Sequence, residues 1–143
     1  MSRLIRSTIG SLIAVIFFSV AYAEDWVPYA RYPDLFFYDE ENINTPDENN
    51  IDVIGIWQKI VYSDKSVARI SEYLGNGYAD LRESIALVEM NCFSKNTQTK
   101  AITYYNSKGE VIHTKHQVKD NWEEIQPSTH SQKLYKAVCP SRS

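Results

Sequence analysis

The sequence predicts an α+β domain, an antiparallel sheet with a C-terminal helix on one face. Three observations predict it. Residues 84–93, SIALVEMNCF, alternate in the manner of a half-buried strand. The run ending in AVCP, residues 137–140, has helical apolar spacing and a proline stop. The only two cysteines, Cys92 and Cys139, sit on those two runs. If they are joined, they tie the middle of the sheet to the last helix.

The first residues read as an address rather than as part of the fold. Arg3 and Arg6 form a positive n-region, Ile9 to Val20 carries no charge, and Ala21-Tyr22-Ala23 has the small-x-small form of a cleavage site. This is the pattern of a signal peptide over residues 1–23. The alternative is a membrane anchor, but the apolar run falls short of the about 20 residues that a spanning helix needs. The expected mature chain starts at Glu24, and residues 24–143 form a single domain. No later stretch is apolar enough to span a membrane. No cysteine sits at the predicted cut after Ala23, so a lipid-anchored N-terminus is not expected. The expected location is outside the cytoplasm, periplasmic or secreted.

Without Arg3 and Arg6 the chain keeps 13 basic against 18 acidic residues, a formal charge of −5. That balance argues against nucleic acid as a partner, because phosphate binding needs a basic face. Export makes a disulfide permissible, and two cysteines in an exported chain are expected to pair. The alternative is two buried free thiols.

The elements follow in order. Trp26 to Tyr29 reads as a short strand, and Pro28 assigns it to a sheet edge. Leu35 to Tyr38 is a second apolar-aromatic run. Asp39 to Asn50 is a polar, acidic loop around Pro46. Ile51 to Ser63 is a strand with Ile54, Ile56, Ile60 and Tyr62 on one face and Val53, Trp57 and Val61 on the other, which suits a central position. Asp64 to Leu74 is predicted helical, with Asp64 as cap, Val67, Ile70 and Leu74 as its apolar stripe, and Gly75-Asn76-Gly77 as its stop.

Leu81 to Phe93 is the next strand, with Ala86, Val88, Met90 and Cys92 sharing a face. Thr97 to Asn106 and Glu110 to Val118 are joined through Ser107-Lys108-Gly109, giving an antiparallel meander from 81 to 118. Trp122 to Gln126 is a short extended piece. The last helix starts near Ser128 or Thr129, where Thr129 to Gln132 has the form of a capping box. Leu134, Tyr135, Val138 and Cys139 form its apolar stripe, and Pro140 ends it.

These pieces together resemble a known family. The segments are the early Trp26 strand, the run Phe36-Phe37-Tyr38-Asp39, a strand carrying Val53 and Trp57, and Glu89 three residues before Cys92. The Tyr105 to Val111 hairpin, the Trp122, Ile125 and Pro127 segment, and the ending Leu134-Tyr135…Val138-Cys139 complete the pattern. It is similar to that of the surface-adhesin protein E family of exported bacterial proteins, over nearly the whole chain after residue 23. The chain departs from the pattern at Asn91, where many relatives carry Asp, and at the absent lipid-anchoring cysteine. The resemblance implies an antiparallel sheet of about six strands with a C-terminal helix held on it by a disulfide between Cys92 and Cys139. It also implies a binding protein that attaches to extracellular or host matrix proteins.

Other chemistry finds little support in the residues. His113 and His116 lie three apart on a strand and so face opposite ways, and His130 sits at a helix start. No metal site is expected from them. The acidic loop lacks the glycine and the ligand spacing of a calcium loop. No nucleophile elbow, phosphate loop or dinucleotide fingerprint is present. No enzyme activity, cofactor or catalytic residue is therefore assigned. Tyrosine is abundant, and adjacent Tyr104 and Tyr105 must face opposite ways, so one is expected outside, where it suits protein recognition. The leading expectation is a protein-binding domain. The alternative is a soluble periplasmic structural or housekeeping protein with no external ligand.

Overall fold

The structure is a computed structural model, and it describes residues 25–139. The predicted signal peptide lies outside the described residues. Among the described residues ten elements follow one another, and seven of them are strands of one sheet. The strands are β1 (Trp26–Ala30), β2 (Leu35–Asp39), β3 (Val53–Val61), β4 (Leu81–Asn91), β5 (Asn96–Asn106) and β6 (Val111–His116), with the two-residue β7 (Glu123–Glu124). β1 to β6 lie side by side in chain order, every pair antiparallel, and β7 pairs with β5 beyond the end of β6. The short β7 takes the sheet one strand past the expected count. Pro28, with no N–H to donate, lies in the outermost strand β1. Gly109, at φ +78°, makes the tight turn from β5 into β6.

Register decides which side chains share a face. The pairs Ile54↔Met90, Ile56↔Val88, Gln58↔Ala86 and Tyr38↔Gln58 place one row of β2, β3 and β4 on the same side. That side is the core, where Ile54, Ile56 and Met90 keep no exposed surface. The alternation read for β4 from Ala86 to Cys92 is the alternation observed.

Helix α2 (His130–Val138) covers this face. It starts where the sequence places its cap. Thr129 Oγ1 accepts from Gln132 N–H at 3.2 Å, and Gln132 Oε1 accepts from Ser128 N–H at 2.8 Å. The reciprocal bond of the capping box therefore lands one residue earlier than in the standard form. Leu134 and Val138 join Ile54, Ile56, Met90 and Tyr38 in one apolar cluster. The disulfide Cys92–Cys139 closes it, with Cα atoms 5.5 Å apart. Cys92 stands just past the end of β4, so the bond grips the β4–β5 turn rather than the middle of the sheet. Tyr135 Oη adds a hydrogen bond to Cys92 carbonyl at 3.2 Å.

Polar groups inside this face are satisfied. Gln58 Nε2 donates to Tyr29 Oη. Tyr62 and Ser84 hydroxyls are bonded at 2.7 Å. Burial pushes the Tyr62 phenol up to about 12, with the Ser84 bond pulling the other way. Burial raises the Tyr29 phenol further still.

Helix α1 (Asp64–Leu74) differs from the sequence expectation in two ways. Ser63, not Asp64, is its cap, because Ser63 Oγ accepts from Ser66 N–H at 3.2 Å while Asp64 is already helical. Its apolar stripe is not sealed, since Leu74 is exposed, Val67 and Ile70 are half-buried, and only Ser66 is buried. The helix is a connection between β3 and β4 at one end of the sheet, followed by a 3-10 turn (Asn76–Tyr78).

Candidate functional site

Among the described residues, the second face of the sheet carries no helix. The pairs Trp57↔Leu87, Lys59↔Ile85, Phe37↔Lys59 and Trp26↔Asp39 put these residues on that side. Leu35, at the end of β2, pairs with Val61 in the same set. The residues are apolar or aromatic with few exceptions, yet none of the aromatics is sealed from solvent. Trp57 keeps 39% of its surface and Leu35 43%. Trp26, Phe37, Ile85 and Leu87 are half-buried. A sheet face of this kind, apolar and open, is a candidate interaction surface.

Lys59 is the one cation at the centre of this patch. Its Nζ lies 5.1 Å from the ring centroid of Trp26 and 5.1 Å from that of Phe37. The quadrupoles of both rings attract the ammonium. The lysine stem covers apolar surface while the charge stays on the aromatic rim.

A groove of 650 Å³ opens at the Trp57 end of the same face, lined by Trp26, Asp39, Trp57, Ile85 and the loop Glu41 to Asn44. The loop is fixed there by three contacts. Asp39 Oδ1 accepts from Glu41 N–H at 3.2 Å, and Asp39 Oδ2 accepts from Asn42 Nδ2 at 2.7 Å. Asn44 forms a two-bond bridge with Gly55, at 2.8 and 3.1 Å. A Cβ on Gly55 would stand 2.5 Å from Asn44 Oδ1, so a larger residue there has to push that side chain aside.

A second cavity, of 300 Å³, lies on the covered face between the sheet and the first turn of α2. Gln58, Gln98, Gln117, Asn121, Glu123 and His130 are among its walls. Gln98 is 4% exposed and spends its amide on Glu89, Asp120, Gln117 and Asn121, so this cavity is held together by its own walls. His130 stacks on Phe36 with centroids 4.4 Å apart. Desolvation of the stacked ring holds its pKa below the ordinary histidine value, against an opposing pull from Asp34.

The histidines stay apart. His113 pairs with Tyr104 and His116 with Ala101, on opposite faces of β6, and His130 is on the helix. Among the described residues no group of three His, Cys, Asp or Glu side chains is placed to hold a metal ion. Tyr104 and Tyr105 do face opposite ways, but both are half-buried, and Tyr104 packs edge-on against Tyr78 at 5.5 Å. Sequence reasoning passed over Lys59, Asp39 and the Asn44–Gly55 lock. Lys59 is the one charged residue of β3 (Val53–Val61), and that was the signal available.

Comparison with known proteins agrees with this architecture. The solved structure of Haemophilus influenzae protein E matches with a TM-score of 0.53, at 11% identity, over 81% of this chain and 84% of that one. At that identity the likeness is one of fold. No curated protein sequence matches the chain. Among the described residues no helix is long and apolar enough to cross a membrane. A family profile described as surface-adhesin protein E matches residues 26–140, which implies an exported, adhesin-like protein, and the chain belongs to the surface-adhesin protein E family.

Proposed function

We propose that this chain is an exported, non-enzymatic module that binds other proteins, of the extracellular-matrix type, on the uncovered face of its sheet. The observation that carries the reading is the contrast between the two faces. One is sealed by α2 and the Cys92–Cys139 bond. Among the described residues, the other leaves Trp26, Leu35, Phe37, Trp57, Ile85 and Leu87 without a cover. Aromatic residues in a shallow apolar patch supply contact area at low entropic cost, which is what protein interfaces select. Residues 1–23 serve as the signal peptide and residues 24–143 as the mature domain, released to the periplasm or beyond without a lipid.

The test is binding of the oxidised protein to a panel of immobilised extracellular-matrix proteins. Leu35→Glu and Leu87→Glu place charge on the patch and are expected to abolish binding while thermal unfolding stays cooperative. Binding that survives both would assign recognition elsewhere. Cell fractionation adds the location: material at the surface or in the medium supports attachment, and material confined to the periplasm supports a housekeeping role.

A further inference from the structure

We infer that the groove between Trp26 and Trp57 takes a lysine or arginine side chain from an extended basic segment of the partner. The inference rests on the protein-binding reading above and specifies its chemistry. The groove walls hold two carboxylates, Asp39 and Glu41, and two indoles, Trp26 and Trp57, with no basic residue among them. Asp39 is only 5% exposed, yet its partners among the described residues are a backbone amide and a side-chain amide, neither of which carries charge. Each of its oxygens has accepted one bond and keeps capacity for a second. Glu41 is exposed at the rim.

The aromatic walls point to the same ligand. A cation over an indole is stabilised by the ring quadrupole, more so when a carboxylate neutralises its charge nearby. The chain already uses Trp26 in this way, because the Lys59 ammonium rests 5.1 Å from its ring centroid. Lys59 is not one of the groove walls and holds its charge toward Phe37 as well. Apart from Lys59, the charges of the adjoining loop have the same sign as the groove carboxylates. The loop that forms one wall also carries Glu40, Asp47 and Glu48, and the whole sequence has a formal charge of −3. A cleft lined by one sign of charge draws in the opposite one. The groove volume of 650 Å³ admits a side chain with its flanking backbone.

Two indoles beside Asn42 and Asn44 are also a surface on which a neutral sugar could stack, so the experiment includes that probe. Oxidised protein labelled with ¹⁵N is titrated with capped tetralysine, capped tetraarginine, capped tetraglutamate and maltotetraose. The expected result is that the two basic peptides shift the indole N–H signals of Trp26 and Trp57 and the amides of Glu41 and Asn42. Glu41→Lys and Trp57→Ala are each expected to weaken binding by about fivefold, and added salt should weaken it further. Glu41 is exposed, so its substitution leaves the fold intact and keeps the test decisive if Trp57→Ala unfolds. Equal shifts with tetraglutamate, shifts only with maltotetraose, or basic-peptide binding indifferent to Glu41→Lys each overturn the inference. If matrix proteins bind the uncovered face while the basic peptides do not, the inference falls and the protein-binding reading stands. If neither binds, both fall.

Discussion

Leu134→Ala puts a number on what holds helix α2 to the sheet. Leu134 keeps 1% of its surface and packs in one cluster with Ile54, Ile56, Met90 and Val138. Truncating such a leucine costs about 2–5 kcal/mol, from lost transfer energy and from the cavity left behind. The Cys92–Cys139 bond spans 47 residues, and loop-closure entropy assigns it about 4 kcal/mol. A domain of this size is stable by about 5–15 kcal/mol in total. Either perturbation alone should therefore be survivable, and the two together, at about 6–9 kcal/mol, exhaust the lower half of that range. In urea, with a slope of about 2 kcal/mol per molar, Leu134→Ala should lower the oxidised midpoint by about 1–2.5 M. Reduced wild type should also unfold earlier, and reduced Leu134→Ala should unfold earliest, with little cooperative transition left. A chain ending at Pro127 loses both contributions and should likewise fail to unfold cooperatively. The measurement is circular dichroism against urea, with and without reductant. If reduced Leu134→Ala shows the same midpoint as reduced wild type, the helix leaves the sheet once the bond is cut, and its packing contributes nothing of its own.

Gly55→Ala should displace the Asn44 side chain and cost about 1 kcal/mol; in an Asn44→Gly background the cost should largely vanish, which a double-mutant cycle in urea would read, and an unchanged cost would place the strain elsewhere. The His130 pKa is lowered in the folded state, so below the ordinary histidine value the unfolded chain takes up a proton first and stability falls as pH falls. His130→Gln should flatten the change in urea midpoint between pH 7.5 and 5, and an unaltered slope would assign the effect to other groups. The Tyr62 phenol is raised to about 12, so between pH 10 and 12 the unfolded chain loses a proton that the folded one keeps, and stability falls as pH rises. Tyr62→Phe should weaken that alkaline loss, followed by phenolate absorbance and circular dichroism together; the same alkaline loss in Tyr62→Phe would assign it to other phenols.

The fold was largely legible because its signals are periodic and local. Alternation from Ala86 to Cys92 named the core face of β4, and Pro28 named an edge. The Thr129 to Gln132 spacing named the start of α2. What was not legible depends on how distant segments meet. The stripe on α1 has proper helical spacing, yet nothing in the sequence says that the helix hangs at the end of the sheet with Leu74 in solvent. The groove was hidden for the same reason. Trp26, Asp39, Trp57 and Ile85 come from four strands and converge only through register. Asp39 looked like the first residue of a solvated acidic loop, and only the fold of that loop buries it.

The disulfide also decides how tension would travel through the molecule. A pull applied at Cys139 passes through sulfur to Cys92 and so straight into the turn after β4, next to the longest strand pairing in the sheet. β5, β6, β7 and α2 lie inside the closed loop and carry no load. The 47-residue separation would otherwise let out roughly 160 Å of slack chain when those elements gave way. With the bond intact that length is locked, and the force meets β4 and its neighbour β3 instead. A molecule that holds onto a surface in flow would then behave as a short, stiff link while oxidised and as a long, yielding one once reduced.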